Sequence, residues 1–264
     1  MAITSLDTYI ASSKQIALQK KTASITAVAQ MITSPHAAAG IPGAGTLAAG
    51  DTTVGVLQTD SVAGYPPINT FGGGATGYIT RVSGYNSVSG MLMLVDVLMK
   101  MGAFAYNAAA SGLTSVSISG RVPGGTDYKG LEIWIEAVTA FTGNQSIAVT
   151  YLDQDGNAGT TGTISTGVAP IVGRCLKLPL AAGDSGVRTI TGVTSTVSTA
   201  GTFNVMIVRP LQQMRIPVAG YSEQRDLYGT GMPIIYDTSA LGVFVRPDST
   251  ASGLPEWEIE IANA

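Results

Sequence analysis

The chain has 264 residues, of which 12% are charged and 45% hydrophobic, and its formal net charge is −3. Ordinary soluble proteins carry about 25% charged residues, and no basic field is present here to hold nucleic acid by counterion release. A single cysteine, Cys175, and a single histidine, His36, exclude an internal disulfide and the usual zinc ligand sets.

Leu6, Tyr9, Ile10, Ile16 and Ala17 approximate helical spacing. A short helix is therefore expected within residues 3–21, with Lys14, Lys20 and Lys21 toward its C-terminal end, where cations suit the helix dipole. The first residues lack a basic stretch followed by an apolar core, so no secretion signal is expected. From Thr22 to Thr80 there is no Lys or Arg. The middle of that span, residues 34–50, is rich in Gly, Pro and Ala and can hold neither a regular helix nor a central strand. It is apolar rather than solvating, which disfavours plain disorder. Residues 1–65 are accordingly expected to be an extended docking arm. Lys14, Lys20, Lys21, Ile41 and Leu47 are its candidate partner contacts, and residues 66–264 form the β domain.

The β domain reads as breaker-bounded strands. Tyr78–Val82 and Met91–Met99 come first. In the second, Met91, Met93, Val95 and Val97 share one face, and Leu92, Leu94 and Leu98 oppose them with Asp96. The apolar run Met91–Val95 ends at Asp96, far short of a membrane span. Val116–Val122 is a further strand candidate. The clearest pattern follows at Leu131–Val138, where Leu131, Ile133, Ile135 and Ala137 alternate with Glu132, Trp134, Glu136 and Val138. Ile147–Leu152 and the Asp155-Gly156 turn extend it into a predicted meander of three antiparallel strands. Ile171–Leu178, Val187–Val197, Thr202–Val208, Met232–Tyr236, Leu241–Val245 and Trp257–Ile261 complete the set. So many short strands indicate an all-β fold, an antiparallel β-sandwich or jelly roll with an extended N-terminal arm.

Few constellations suggest chemistry. His36 follows Pro35 inside the apolar arm, and neither it nor Cys175 sits in a nucleophile signature. Gly40–Thr46 lacks the lysine of a phosphate loop, and Phe71–Ala75 reads as a tight chain path. Asp153, Asp155 and Asn157 have the opening spacing of a calcium loop, but Ala158 and Ile164 stand where Gly and Glu are needed. Glu132 and Glu136 are too far apart on one strand, about 13 Å, for a glycosidase pair. The Glu132–Trp134–Glu136 face is expected to be solvent-facing or to lie between subunits. No enzyme activity, cofactor, metal, nucleic acid or membrane is expected. A carbohydrate-binding module using Trp134, Tyr151 or Tyr128 as stacking platforms is the alternative from another class.

Three stretches carry a resemblance: Pro42–Ala48, Ala63–Gly74 and Ser119–Thr139. There the chain resembles uncharacterised proteins encoded among the virion genes of tailed bacteriophages. The resemblance implies a structural role in the particle, made in the host cytoplasm and built into the virion, and brings no catalytic residues. On this reading the expected function is a minor capsid, decoration or cement protein bridging shell subunits, with a tail component as the alternative. Its expected partners are capsid or other virion proteins. Low charge also favours a homo-oligomer, and analogy with other β-rich capsid accessories favours a trimer.

Overall fold

The computed structural model describes residues 3–71, 76–144, 146–165, 171–195 and 200–263. The chain opens with α1 (Leu6–Ala11), β1 (Ser13–Lys21), β2 (Gly40–Ile41) and β3 (Asp51–Leu57). Then come β4 (Gly77–Tyr85), β5 (Gly90–Ala105), β6 (Ala109–Ser111), β7 (Glu132–Thr139) and β8 (Ser146–Asp153). β9 (Ala158–Thr160), β10 (Ile164–Ser165), β11 (Cys175–Leu178), β12 (Val187–Ser195) and β13 (Thr202–Ile216) follow. The chain closes with β14 (Ser222–Arg225), α2 (Leu227–Thr230), β15 (Ile234–Ile235), β16 (Leu241–Pro247) and β17 (Glu256–Asn263).

The described strands form three antiparallel sheets. The first runs β14-β4-β17-β1-β2, with β15 also on β4. The central sheet runs β11-β7-β13-β5-β16, with β3 on β5. The third runs β10-β8-β12-β6, with β9 on β8. β5 and β13 are long enough to serve both neighbours. Leu92, Leu94, Met214 and Ile216 pack against Val82, Trp257 and Ile259 of the first sheet. Met101, Ile133, Ile135 and Val205 pack against Ile147, Val149 and Ile190 of the third. The architecture is thus an all-β, sandwich-like stack, as the alternating patterns predict. Among the described residues no helix is long and apolar enough to cross a membrane.

Several elements differ from the sequence expectation. The helix stops at Ala11, where Ser12 turns extended. Residues 13–21 form a strand instead, paired along its length with the C-terminal β17 from Ser13↔Asn263 to Lys20↔Glu256. Ala17 and Trp257 share the core beneath this pair, and burial there overrides a weak local helical preference. The predicted three-strand meander is split. β7 joins the central sheet and β8 the third, so the chain changes sheets between Thr139 and Ser146. The hairpin at Asp155-Gly156 does form, with Leu152 opposite Ala158. Val116–Val122 is not a strand but leads into two short 3-10 turns. β13 runs past the predicted end at Val208, through Pro210. Val208 is its last residue paired to β7, so the proline nitrogen lies beyond the two-sided part of the ladder. The Phe71–Ala75 and Val187–Val197 readings fall partly outside the described residues, at 72–75 and 196–197.

The boundary expected at residue 65 is therefore not a boundary in the fold. β1 is an internal strand of the first sheet. Residues beyond it keep contact with the rest of the chain: Ala27 N–H donates to Thr250 O at 2.9 Å in the β16–β17 connection, Thr33 N–H to Val245 O of β16 at 2.7 Å, and Gln58 N–H to Leu98 O of β5 at 2.9 Å. The breaker-rich stretch lies, as its composition suggests, on an apolar surface. That surface is the chain's own central sheet.

Candidate functional site

The face of the central sheet beneath residues 22–65 holds an apolar patch with charges set into it. Val95, Val97, Trp134, Met206 and Phe244 form the patch, and Tyr65 packs with them. A bulge makes the charges possible. Met99 pairs with Ile207 but Val97 with Val208, so Leu98 is the extra residue. The alternation of β5 reverses there. Met99 and Met101 turn to the core of the third sheet, and Lys100 turns to the covered face.

Lys100 Nζ meets Glu136 Oε2 at 2.8 Å, with side chains 2% and 0% exposed. Asn204 Nδ2 donates to the same carboxylate oxygen at 3.0 Å and to Leu47 O at 2.6 Å. This ties the N-terminal segment to the buried ion pair. Burial pushes the Lys100 ammonium down, but its surroundings, the Glu136 carboxylate foremost, together outweigh it and the net direction is up. Lys21 is buried nearby and donates to His36 O and Ala38 O at 3.2 and 3.1 Å. Burial lowers it to about 8.

His36 is the centre of the covering segment. Its ring lies 4.6 Å from that of Tyr65. Gly45 and Gly64 press against the imidazole: a Cβ on Gly45 would fall 2.1 Å from Nε2, and one on Gly64 2.5 Å from Cε1. Gly64 also has φ +97, a conformation that favours glycine. These glycines lie within two of the three stretches that carry the phage resemblance, and steric fit around one ring accounts for them. Gly45→Ala is expected to cost about 1–3 kcal/mol through overpacking. The Ala63 carbonyl, 2.6 Å from the same Cβ position, leaves the backbone little room to yield. The cost should shrink in a His36→Ala background; an equal cost in urea unfolding of both would show that the ring is not the obstacle.

Burial, then the charges of Lys100 and Lys21, lowers His36 from 6.5 to about 2. Below pH 6.5 the unfolded chain binds a proton that the folded chain refuses until about pH 2. Stability from this residue is therefore complete above 6.5 and falls as pH drops through that window, by at most about 1.4 kcal/mol per unit. Unfolding free energies at about pH 7 and about pH 5 should differ by less in His36→Leu than in the parent. An unchanged difference would refute this assignment.

A second buried cluster lies on β5. Asp96 accepts from Arg121 Nη2, from Arg209 Nη2 at 2.7 Å, from Ser239 Oγ at 3.0 Å and from Ala240 N at 3.1 Å. Arg121 Nη1 also donates to Gln58 O at 2.7 Å and Thr238 O at 2.6 Å. One guanidinium thus links β5, the segment leading out of β3 and the loop before β16.

The residues singled out from sequence fall in several places. Lys14 donates to Tyr9 O at 2.7 Å, across the end of α1. Lys20 pairs with Glu256 at 2.9 Å on the outer face of the first sheet. Lys21 and Leu47 are buried within the chain. Ile41 stands 57% exposed. Glu132 pairs with Lys177 at 2.5 Å and accepts from Trp134 Nε1 at 2.8 Å. Trp134 is buried edge-on to Phe244. The Glu132–Trp134–Glu136 face is thus not an open strand face; the same chain covers its Trp134–Glu136 part. Lys21 is sealed within the chain, whereas Leu47, though buried, lines an apolar groove with Ile25, Ala37 and Val172.

The aromatic platforms also fail. Trp134, Tyr151 and Tyr128 are each buried, so none offers a ring face to a sugar. Cys175 is buried, its thiol pushed well above its ordinary value by burial and then by Glu136. Lys100 and Glu136 pair with each other, and His36, Tyr65 and Cys175 are buried beside them; His36 Nε2 and Glu136 Oε1 have no hydrogen-bond partner among the described residues. Asp153 closes its own hairpin, accepting from Asp155 N and Asn157 N, each at 2.8 Å. Among the described residues no three His, Cys, Asp or Glu side chains are grouped to hold a metal. Sequence reasoning missed Asp96, Lys100, Arg121, Asn204 and Arg209. One signal was present: Asp96 and Lys100 interrupt a stretch of β5 that is otherwise apolar on both faces, and buried charges need partners.

No protein-family model matches the chain, and no curated protein matches it. Among solved structures it is similar to the VP2 subviral particle of infectious bursal disease virus, at 9% identity and TM-score 0.18, over 96% of this chain and 80% of that one. The Gt strain of the same virus matches at 9% identity and TM-score 0.18, over 96% and 81%. T=1 particles derived from it match at 8% and 0.17, over 95% and 78%. TM-scores this low do not establish a shared topology.

Proposed function

We propose that this chain is a structural component of a tailed-phage virion, a minor capsid, decoration or cement protein that stabilises the head by bridging shell subunits. The observation that carries the reading is the use of its few charges. Lys100, Glu136, Asp96, Arg121 and Arg209 are consumed in internal clusters that fasten irregular segments to the central sheet. Such a build suits a rigid scaffold. The resemblance at Pro42–Ala48, Ala63–Gly74 and Ser119–Thr139 supports the virion assignment.

In this proposal the N-terminal segment still contributes to assembly, but by its outer surface. Leu6, Ile10, Ile16 and Ile41 are exposed apolar side chains, and each gains roughly 25 cal/mol per Å2 of apolar area removed from water by a neighbouring subunit. A homotrimer, or multiple copies within the particle, supplies such neighbours. The protein has no turnover that depends on His36 or Cys175. The test is cryo-EM of the intact particle with the polypeptide traced in the map. Density at shell subunit boundaries supports the proposal; density confined to the tail replaces it with the tail reading, and absence from the particle refutes both.

A further inference from the structure

Beyond that role, we propose that the groove between β12 and the 114–128 segment binds a carboxylated sugar, with Arg188 as the residue that grips the carboxylate. The groove holds about 570 Å3, within the usual size range of small-ligand pockets, about 300–1,000 Å3. The residues that line it carry one formal charge, that of Arg188. The rest of its polar lining is mainly hydroxyl.

Three observations aim this groove at a ligand. First, β12 bulges at Arg188: Val187 pairs with Asp153 and Thr189 with Leu152, leaving Arg188 as the extra residue. A bulge re-aims the side chain it carries. Second, the guanidinium lies over the Tyr128 ring at 5.7 Å and pairs with no carboxylate among the described residues. Tyr128 is itself fixed, because Lys129 bridges Gly186 and Gly130 N–H donates to Ser185 O at 2.8 Å. The ring is a support for the cation, which explains a buried tyrosine beside an exposed arginine. Third, the hydroxyls of Thr114, Thr126 and Thr189 line the groove and make no hydrogen bond within the described protein. Ser115 Oγ accepts from Ile190 N at 3.1 Å, which leaves its own hydrogen to donate.

The chemistry selects the ligand class. A planar guanidinium held by a ring presents a fork that matches a carboxylate in two parallel hydrogen bonds. Hydroxyls that both donate and accept match the hydroxyls of a sugar ring. A bare phosphate would use the cation and accept from the hydroxyls, but would leave their acceptor oxygens unanswered. A neutral sugar would leave the cation unanswered.

The test titrates the intact protein with D-glucuronate, D-glucose and inorganic phosphate, followed by amide chemical shifts in NMR. Glucuronate should bind about tenfold or more tightly than either of the others, the weight of one charge-assisted pair. Shifts should centre on residues 114–128 and 187–190. Arg188→Gln should weaken glucuronate by about the same factor, with Arg188→Lys intermediate. Arg188 is exposed, so neither substitution threatens the fold, and an unchanged thermal melt verifies this. No saturable glucuronate binding at millimolar concentration, equal binding of phosphate or glucose, or undiminished binding by Arg188→Gln would each overturn the proposal.

Discussion

Glu136→Ala will destabilise the protein by about 3–5 kcal/mol, the usual cost of leaving one member of a buried ion pair without its partner. Lys100 is sealed beneath the N-terminal segment and cannot reach water without moving that cover. Asn204 loses an acceptor in the same substitution, while its bond to Leu47 O remains. Burial alone lowers the ammonium's affinity for its proton, and Glu136 is the foremost of the groups that reverse that direction. Without the carboxylate, the variant's Lys100 should therefore titrate below its ordinary value. Stability should then recover in part as pH rises and the amine sheds its charge. The paired replacement Lys100→Met with Glu136→Leu should recover most of the loss, because two apolar side chains of similar volume need no desolvation. Urea unfolding of the parent, Glu136→Ala and the paired variant measures both effects. A single-variant loss below about 1 kcal/mol would place the pair among weak surface bridges and contradict its burial here.

Deleting residues 1–65 will abolish cooperative folding of the remainder. The deletion removes β1, and with it the pairing of β17 from Glu256 to Asn263. It also removes β3 from β5 and uncovers Val97, Trp134 and Phe244. The Lys100–Glu136 pair would be opened to water, and Arg121 would lose its contact with Gln58 O. A sheet edge with unpaired amides beside a large apolar face is an aggregation site. The truncated chain should be insoluble, or should bind a hydrophobic dye and lose its near-ultraviolet circular dichroism while keeping strand content. A soluble product with a sharp urea transition would instead restore residues 66–264 as a self-standing domain, the organisation expected from composition alone.

That contrast shows where the pattern in a sequence stops being informative. The all-β class was legible in residues 131–138, because alternation with period two is a property of the strand itself. The hairpin at Asp155-Gly156 was legible for a similar reason: its turn chemistry is local. Alternation marks the two faces of a strand and says nothing about which strand lies beside it. β7 and β8 therefore read as neighbours yet sit in different sheets. Residues 13–21 read as a weak helix because their partner, β17, lies at the other end of the chain.

The candidate site was less legible. Trp134 and Glu136 were correctly placed on one face of β7, but what covers that face could not be read from the strand. Lys100 was invisible as their neighbour, because the bulge at Leu98 reverses the alternation of β5 just before it. Arg188 was hidden in the same way by the bulge in β12. Bulges depend on how a strand is paired, so they leave little trace in composition.

The sequence by itself determined the β class, the strand faces and the irregular path of residues 34–50, since each follows from local backbone and side-chain chemistry. Only the tertiary structure decided that this irregular segment is a cover over its own central sheet. Ordering a segment with no regular hydrogen bonding costs about 1–2 kcal/mol of backbone entropy per residue. Part of that cost is offset by burying Leu47 and by the hydrogen bonds from Lys21 and Asn204. Every one of those contacts joins residues far apart in the chain or set by its folded path, and no local pattern records them.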